Sequence, residues 1–135
     1  MELSKSNISL LIIDHSLFIR ERIRMRLSRF KNIGDIFEAD DNNSGLKLLD
    51  YQQPDVVLVD AQYDNCNISE IIHKVKEKKP TTIVIVLTNF PSSTLVRRCT
   101  EIGANYVFDK TTEFDKIIKF FETIEDPEFA AQHEI

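Results

Sequence analysis

"LLIIDHSLF", residues Leu10 to Phe18, is an apolar run that stops at an acid and is followed at once by a histidine. A short run that is apolar at every position is a strand covered on both faces, as in a parallel sheet with helices above and below. Asp14 then stands at the carboxyl end of that strand, where open α/β sheets hold their ligands. The imidazole of His15 is the next group along the same rim.

The pattern recurs. "ISLLII" from Ile8, "VVLV" from Val56, "TIVIVL" from Thr82 and "YVF" from Tyr106 are all short and rich in β-branched residues, and "DIFEA" at Asp35 to Ala39 is a weaker fifth strand. Helical spacing of apolar residues fills the intervals, near Leu17 to Phe30, Ser44 to Tyr51, Ile68 to Lys78, Ser92 to Ile102 and Glu113 to Ile124. Pro91 falls where a first helical turn starts, Gly34 and Gly103 follow helix ends, and Pro54 and Pro80 precede strands. Five βα repeats with right-handed crossovers make an open, doubly wound sheet.

The 135 residues suit one domain with one core, and 42% hydrophobic with 29% charged residues is ordinary for a globular chain. A formal charge of −5 argues against a phosphate-tracking nucleic-acid binder and for protein partners or small anions. Cys66 and Cys99 are too few and too far apart for a disulfide framework or a zinc site. With no bilayer-length apolar run and no signal pattern at the start, the expectation is a cytoplasmic protein without membrane contact. Residues 1–124 are expected to form the domain, and "EDPEFAAQHEI", 125–135, an acidic C-terminal tail.

The four main strands lead into Asp14, Asp60, Thr88 and Lys110, with Asp109 just before the lysine. One polar strand end means little, because strand ends meet water. Two acids, a hydroxyl and an ammonium from four strands could hold a divalent cation and a phosphoryl group together.

On these residues the chain resembles the receiver domain of two-component response regulators, the CheY-like family, over about Ile8 to Ile124. "VVLVD" resembles the strand ending in the phosphoacceptor aspartate, here Asp60. "VLTN" resembles the strand carrying the Thr/Ser switch residue, here Thr88, and "GANYVFDKTTEF" the segment bearing the lysine, here Lys110. The lysine segment, with Thr111 after Lys110 and Asn89 after Thr88, looks especially like small stand-alone receivers. The resemblance implies a five-stranded parallel sheet of order 2-1-3-4-5 in a three-layer sandwich. It also implies a phosphoryl group taken by Asp60 from a histidine kinase or phosphotransfer protein, with no enzyme activity beyond that self-catalysed transfer, and signalling through changed protein contacts. Mg²⁺ would be held by the acid pair after strand one, by Asp60 and by the backbone carbonyl of Gln62. Thr88 would bond a phosphoryl oxygen, and Lys110 would pair with the phosphoryl group.

The second acid of that pair is His15 here. Mg²⁺ prefers hard oxygen ligands and binds imidazole poorly, so a weak or absent Mg²⁺ site is expected, with Mn²⁺ as an alternative ion. Four readings of His15 are open: a ring in solvent, a transition-metal ligand, a protonated imidazole replacing part of the metal's charge, or decay of the site. The cation substitute is preferred. The loop "AQYDNCNI" after Asp60 lacks the proline and glycines of its relatives, although Asp64 could lend a carboxylate. Val107, between Tyr106 and Phe108, stands at the aromatic switch position of chemotaxis-type receivers, so packing is its expected role. On the first helix Ile19, Ile23, Leu27 and Phe30 form a core stripe, while Phe18, Arg22, Met25 and Arg29 share a second face that suits partner docking.

The competing reading is a receiver-shaped interaction module that binds without phosphorylation and carries a degenerate metal site. Two others fit less well. "DHSLF" lacks the Gly/Thr/Ser cradle of a flavin phosphate site, and a haloacid-dehalogenase-type phosphatase needs a second acid where Gln62 stands.

Overall fold

The computed structural model describes residues 8–61, 67–89 and 91–124. Five strands and five helices alternate along them: β1 (Ile8–Ile13), α1 (Leu17–Leu27), β2 (Ile33–Ala39), α2 (Asn42–Tyr51), β3 (Val56–Asp60), α3 (Asn67–Lys78), β4 (Ile83–Thr88), α4 (Ser93–Glu101), β5 (Tyr106–Asp109) and α5 (Phe114–Ile124). The strands pair in parallel in the order β2-β1-β3-β4-β5, the doubly wound order expected. Among the described residues no helix is long and apolar enough to cross a membrane.

The near-continuous apolarity of β1, β3 and β4, broken only by Ser9 and by the terminal Asp60 and Thr88, has a plain cause. These three inner strands are buried on both sides, and alternate residues feed two separate cores. Leu10, Ile12, Val56, Leu58, Ile85 and Leu87 pack with Ile23 and Leu27 of α1 and Ile117 and Phe121 of α5. Leu11, Ile13, Val57, Val59, Val84 and Val86 pack with Leu49 of α2, Ile71, Ile72 and Val75 of α3, and Cys99 of α4. β2 and β5 are edges and carry polar or half-exposed positions. Val107 therefore belongs to an edge strand. It packs toward the second core, while Tyr106 and Phe108 lie on the other face and stack at 5.7 Å.

Local chemistry sets the helix ends. Ser16, Asp41 and Ser92 cap α1, α2 and α4, each side chain accepting a backbone N–H three residues on. α4 thus starts at Ser93, two residues beyond Pro91. α1 stops at Leu27 rather than Phe30, because the Ser28 N–H turns back to the Met25 carbonyl, yet Phe30 still packs on the core. Gly34 lies inside β2 and ends no helix. Gly103 does follow α4, at φ +120°, a conformation that favours glycine.

The chain winds outward from β1 to β2 and then crosses to β3 on β1's other side. That reversal opens a crevice at the carboxyl ends of β1 and β3, where no crossover covers the sheet. Asp14 and Asp60 flank it.

Candidate functional site

Asp14 follows β1 and is almost wholly buried, with 1% of its surface exposed. Its Oδ1 accepts the Ser16 N–H at 2.9 Å, so the carboxylate also steadies the entry to α1. The Asp14 carbonyl accepts from the Arg20 guanidinium. Asp60 ends β3, and Lys110 lies in the turn one residue past the end of β5. The Lys110 Nζ is 2.6 Å from Asp14 Oδ2 and 3.2 Å from Asp60 Oδ1, which ties β1, β3 and β5 together by one ammonium.

The other two carboxylate oxygens face the histidine. His15 Nδ1 lies 3.3 Å from Asp60 Oδ2 and 3.7 Å from Asp14 Oδ1. The side chain is nevertheless 59% exposed, so the ring is in solvent and at the pocket at once. Thr88 ends β4, one residue beyond Leu87, the β4 partner of Asp60, and its carbonyl accepts the Lys110 N–H at 2.8 Å. Asp14, His15, Asp60, Thr88 and Lys110 thus share one rim. Gln62 and Asp64 lie outside the described residues, as do Cys66 and the tail at 125–135.

Burial pushes the Asp60 carboxyl above its usual range, and the Asp14 charge pushes it the same way; Lys110 and then His15 offset part of this. Asp109 does not join the pocket. Its Oδ1 accepts the N–H groups of Thr112 and Thr111, which hold its carboxyl below the usual range and build the turn that presents Lys110. A second support was not legible in the sequence. Arg20 and Arg24 each donate to Glu38 of β2 at 2.8 Å. Burial alone would raise that carboxyl, but the two guanidiniums hold it low, and the clamp fixes α1 beside β2. The Glu38 clamp has no local signature.

The second face of α1 is partly as expected. Phe18 and Met25 are 70% and 73% exposed. Arg22, however, lies over the Phe114 ring of α5 at 3.9 Å, so it packs between helices as well as facing water. Cys99 is free and buried, and burial pushes its thiol up.

One donor atom from each of Asp14, His15 and Asp60 lies within 4.8 Å of the other two, a spacing that a single cation could bridge. The donor chemistry does not suit Mg²⁺ well. That ion takes oxygen donors in near-ideal octahedra, whereas this set replaces one oxygen by an imidazole nitrogen.

An acid pocket at the β1/β3 crevice of a 2-1-3-4-5 sheet, bridged by a lysine after β5, defines a doubly wound α/β domain with a charged site at its switch point. The family described as "Response regulator receiver domain" matches residues 10–122, and the chain belongs to it. Receivers of this family serve two-component signalling. The chain is 29% identical over 107 residues to the transcriptional regulatory protein YdfI of Bacillus subtilis (strain 168), covering 79% of this chain and 50% of that one. It is 21% identical over 123 residues to the transcriptional regulatory protein DegU of Brevibacillus brevis, covering 91% and 52%. The chain thus spans about half the length of these curated relatives. Among solved structures, the signal receiver domain of the DNA binding response regulator merR from Colwellia psychrerythraea 34H superposes with a TM-score of 0.76 at 25% identity, covering 88% of this chain and 98% of that one.

Proposed function

We propose that this chain is a phosphoacceptor receiver in which Asp60 takes a phosphoryl group from the phosphohistidine of a histidine kinase or phosphotransfer protein, and that the modified site signals by altered protein contacts. The observation that carries this reading is the placement of Asp60: a strand-end carboxylate, 7% exposed, with Lys110 at one oxygen and His15 at the other. In the transfer an Asp60 oxygen attacks phosphorus, the P–N bond to the donor imidazole breaks, and the freed imidazole takes a proton from water. Burial and Asp14 make Asp60 more basic, which strengthens it as a nucleophile once ionised. Lys110 is within reach of the acyl phosphate and would exchange part of its contact with Asp14 for a phosphoryl oxygen. Thr88, at the end of the adjoining strand, would donate its hydroxyl to another.

Mg²⁺ binds this donor set weakly, and no further catalysis is assigned to the domain. Partners are proteins rather than nucleic acid, in keeping with the charge of −5, and the setting is the cytoplasm.

The test is intact mass after incubation with phosphoramidate or acetyl phosphate. A single added phosphoryl group that is lost in Asp60→Asn supports the assignment. A label that persists in that variant and maps to another residue would sink it, and no label from either small donor or a phosphohistidine donor would favour the phosphorylation-independent interaction module.

A further inference from the structure

The mismatch between the acid pocket and Mg²⁺ points to a different ion. We propose that Asp14, His15 and Asp60 form a site for a borderline first-row transition ion of the Co²⁺, Ni²⁺ or Zn²⁺ type, which it binds in preference to Mg²⁺. The proposal concerns the same site as the phosphoacceptor reading but is tested on unphosphorylated protein, so the two can fail separately.

Three features lead there. First, geometry: bonds of about 2.0–2.2 Å put neighbouring donors about 2.8–3.6 Å apart around such an ion. His15 Nδ1 stands 3.3 Å from Asp60 Oδ2 and 3.7 Å from Asp14 Oδ1, and one donor atom of each residue lies within 4.8 Å of the other two, so the donors draw together around the ion without any change of fold. Second, charge: Lys110 contacts the opposite oxygens, Asp14 Oδ2 and Asp60 Oδ1. It leaves the His15 side of both carboxylates facing the imidazole while balancing one of their two charges. A hard ion depends on ligand charge and oxygen count and loses most by this. An ion that bonds imidazole nitrogen keeps a directional donor, and affinity then follows the first-row order. Third, access: His15 is 59% exposed, so an ion can enter from solvent and keep water at its remaining positions.

The experiment titrates the metal-free full chain with Mg²⁺, Co²⁺ and Zn²⁺ by calorimetry, and follows Co²⁺ by its visible absorption. Zn²⁺ and Co²⁺ are expected to bind at least about 30-fold more tightly than Mg²⁺. Because His73, His133 and the two thiols also attract these ions, location is decided by variants. His15→Ala should weaken Co²⁺ by about 10-fold or more and remove its absorption band while leaving Mg²⁺ nearly unchanged. His15→Asp should tighten Mg²⁺ and narrow the gap. The exposed position of His15 means that these variants keep the fold, which circular dichroism checks. Wild-type protein that binds Mg²⁺ as tightly as Co²⁺ and Zn²⁺, or His15→Ala protein that keeps the full Co²⁺ affinity, would overturn the proposal.

Discussion

Lys110 Nζ lies 2.6 Å from Asp14 Oδ2, an ion pair in which neither side chain has more than 5% of its surface in water. The same ammonium reaches Asp60, so it is the cation that lets two buried acids share one crevice. Removing it leaves them facing each other with their main counter-charge gone.

Lys110→Met should therefore destabilise the domain by about 3–5 kcal/mol at neutral pH, as for other broken buried pairs. Protonation of Asp60, whose carboxyl already sits above its usual range, relieves the repulsion. The deficit relative to wild type should shrink as pH falls through that raised value. Urea unfolding at a series of pH values measures it, and a deficit independent of pH would rule out electrostatic repulsion as the cause.

Asp60→Asn should have the opposite sign. A carboxyl with a raised folded-state pKa binds its proton more tightly folded than unfolded, so its ionisation costs stability. That cost is full above the folded-state value and absent below the unfolded value of 3.8. The variant should be more stable than wild type, with a raised Tm, at pH 7 to 8. The gain should fade toward pH 4; a gain that grows on acidification would contradict the assignment of the shift.

The exposed α1 face can be separated from the chemistry. Phe18 and Met25 stand out in water and Arg29 is exposed, whereas Arg22 also packs on Phe114. Phe18→Ala with Met25→Ala and Arg29→Glu should slow phosphoryl transfer from a cognate phosphohistidine protein by about 10-fold or more, as truncated interface anchors do. Labelling by acetyl phosphate should stay unchanged. Equal loss with both donors would mean that the changes disturb the pocket, and no loss with either would leave α1 a solvated helix.

Gly103→Ala should cost about 1–2 kcal/mol. The residue sits at φ +120°, and an added Cβ would stand 3.2 Å from Ile72 Cγ2 of α3. Thermal unfolding measures the loss. An unchanged Tm would show that the α4 to β5 turn tolerates another backbone path.

The strands were legible because burial on both faces leaves a local mark: an inner parallel strand reads as a nearly continuous apolar run, as β1, β3 and β4 do apart from Ser9 and the polar ends Asp60 and Thr88. Their polar ends were legible for the same reason, which is why Asp14, Asp60, Thr88 and Lys110 could be grouped before any contact was known. The end of α1 was less so, since Phe30 keeps the apolar spacing after the backbone has left the helix. Gly34 shows the same limit, being compatible with a helix end and with an edge strand.

What the sequence by itself determined was the order of elements, the doubly wound class and the rim residues, because each follows from solvent exposure repeated along a short stretch of chain. Only the tertiary structure decided what those side chains touch. It assigned Arg22 to the ring of Phe114, Arg20 and Arg24 to Glu38, and Asp109 to its own turn rather than to the pocket. It also placed a largely exposed His15 within reach of Asp60, 45 residues further along the chain. Such pairings depend on distances across the fold and on the competition of several partners for one charge, and no local pattern of residues encodes either.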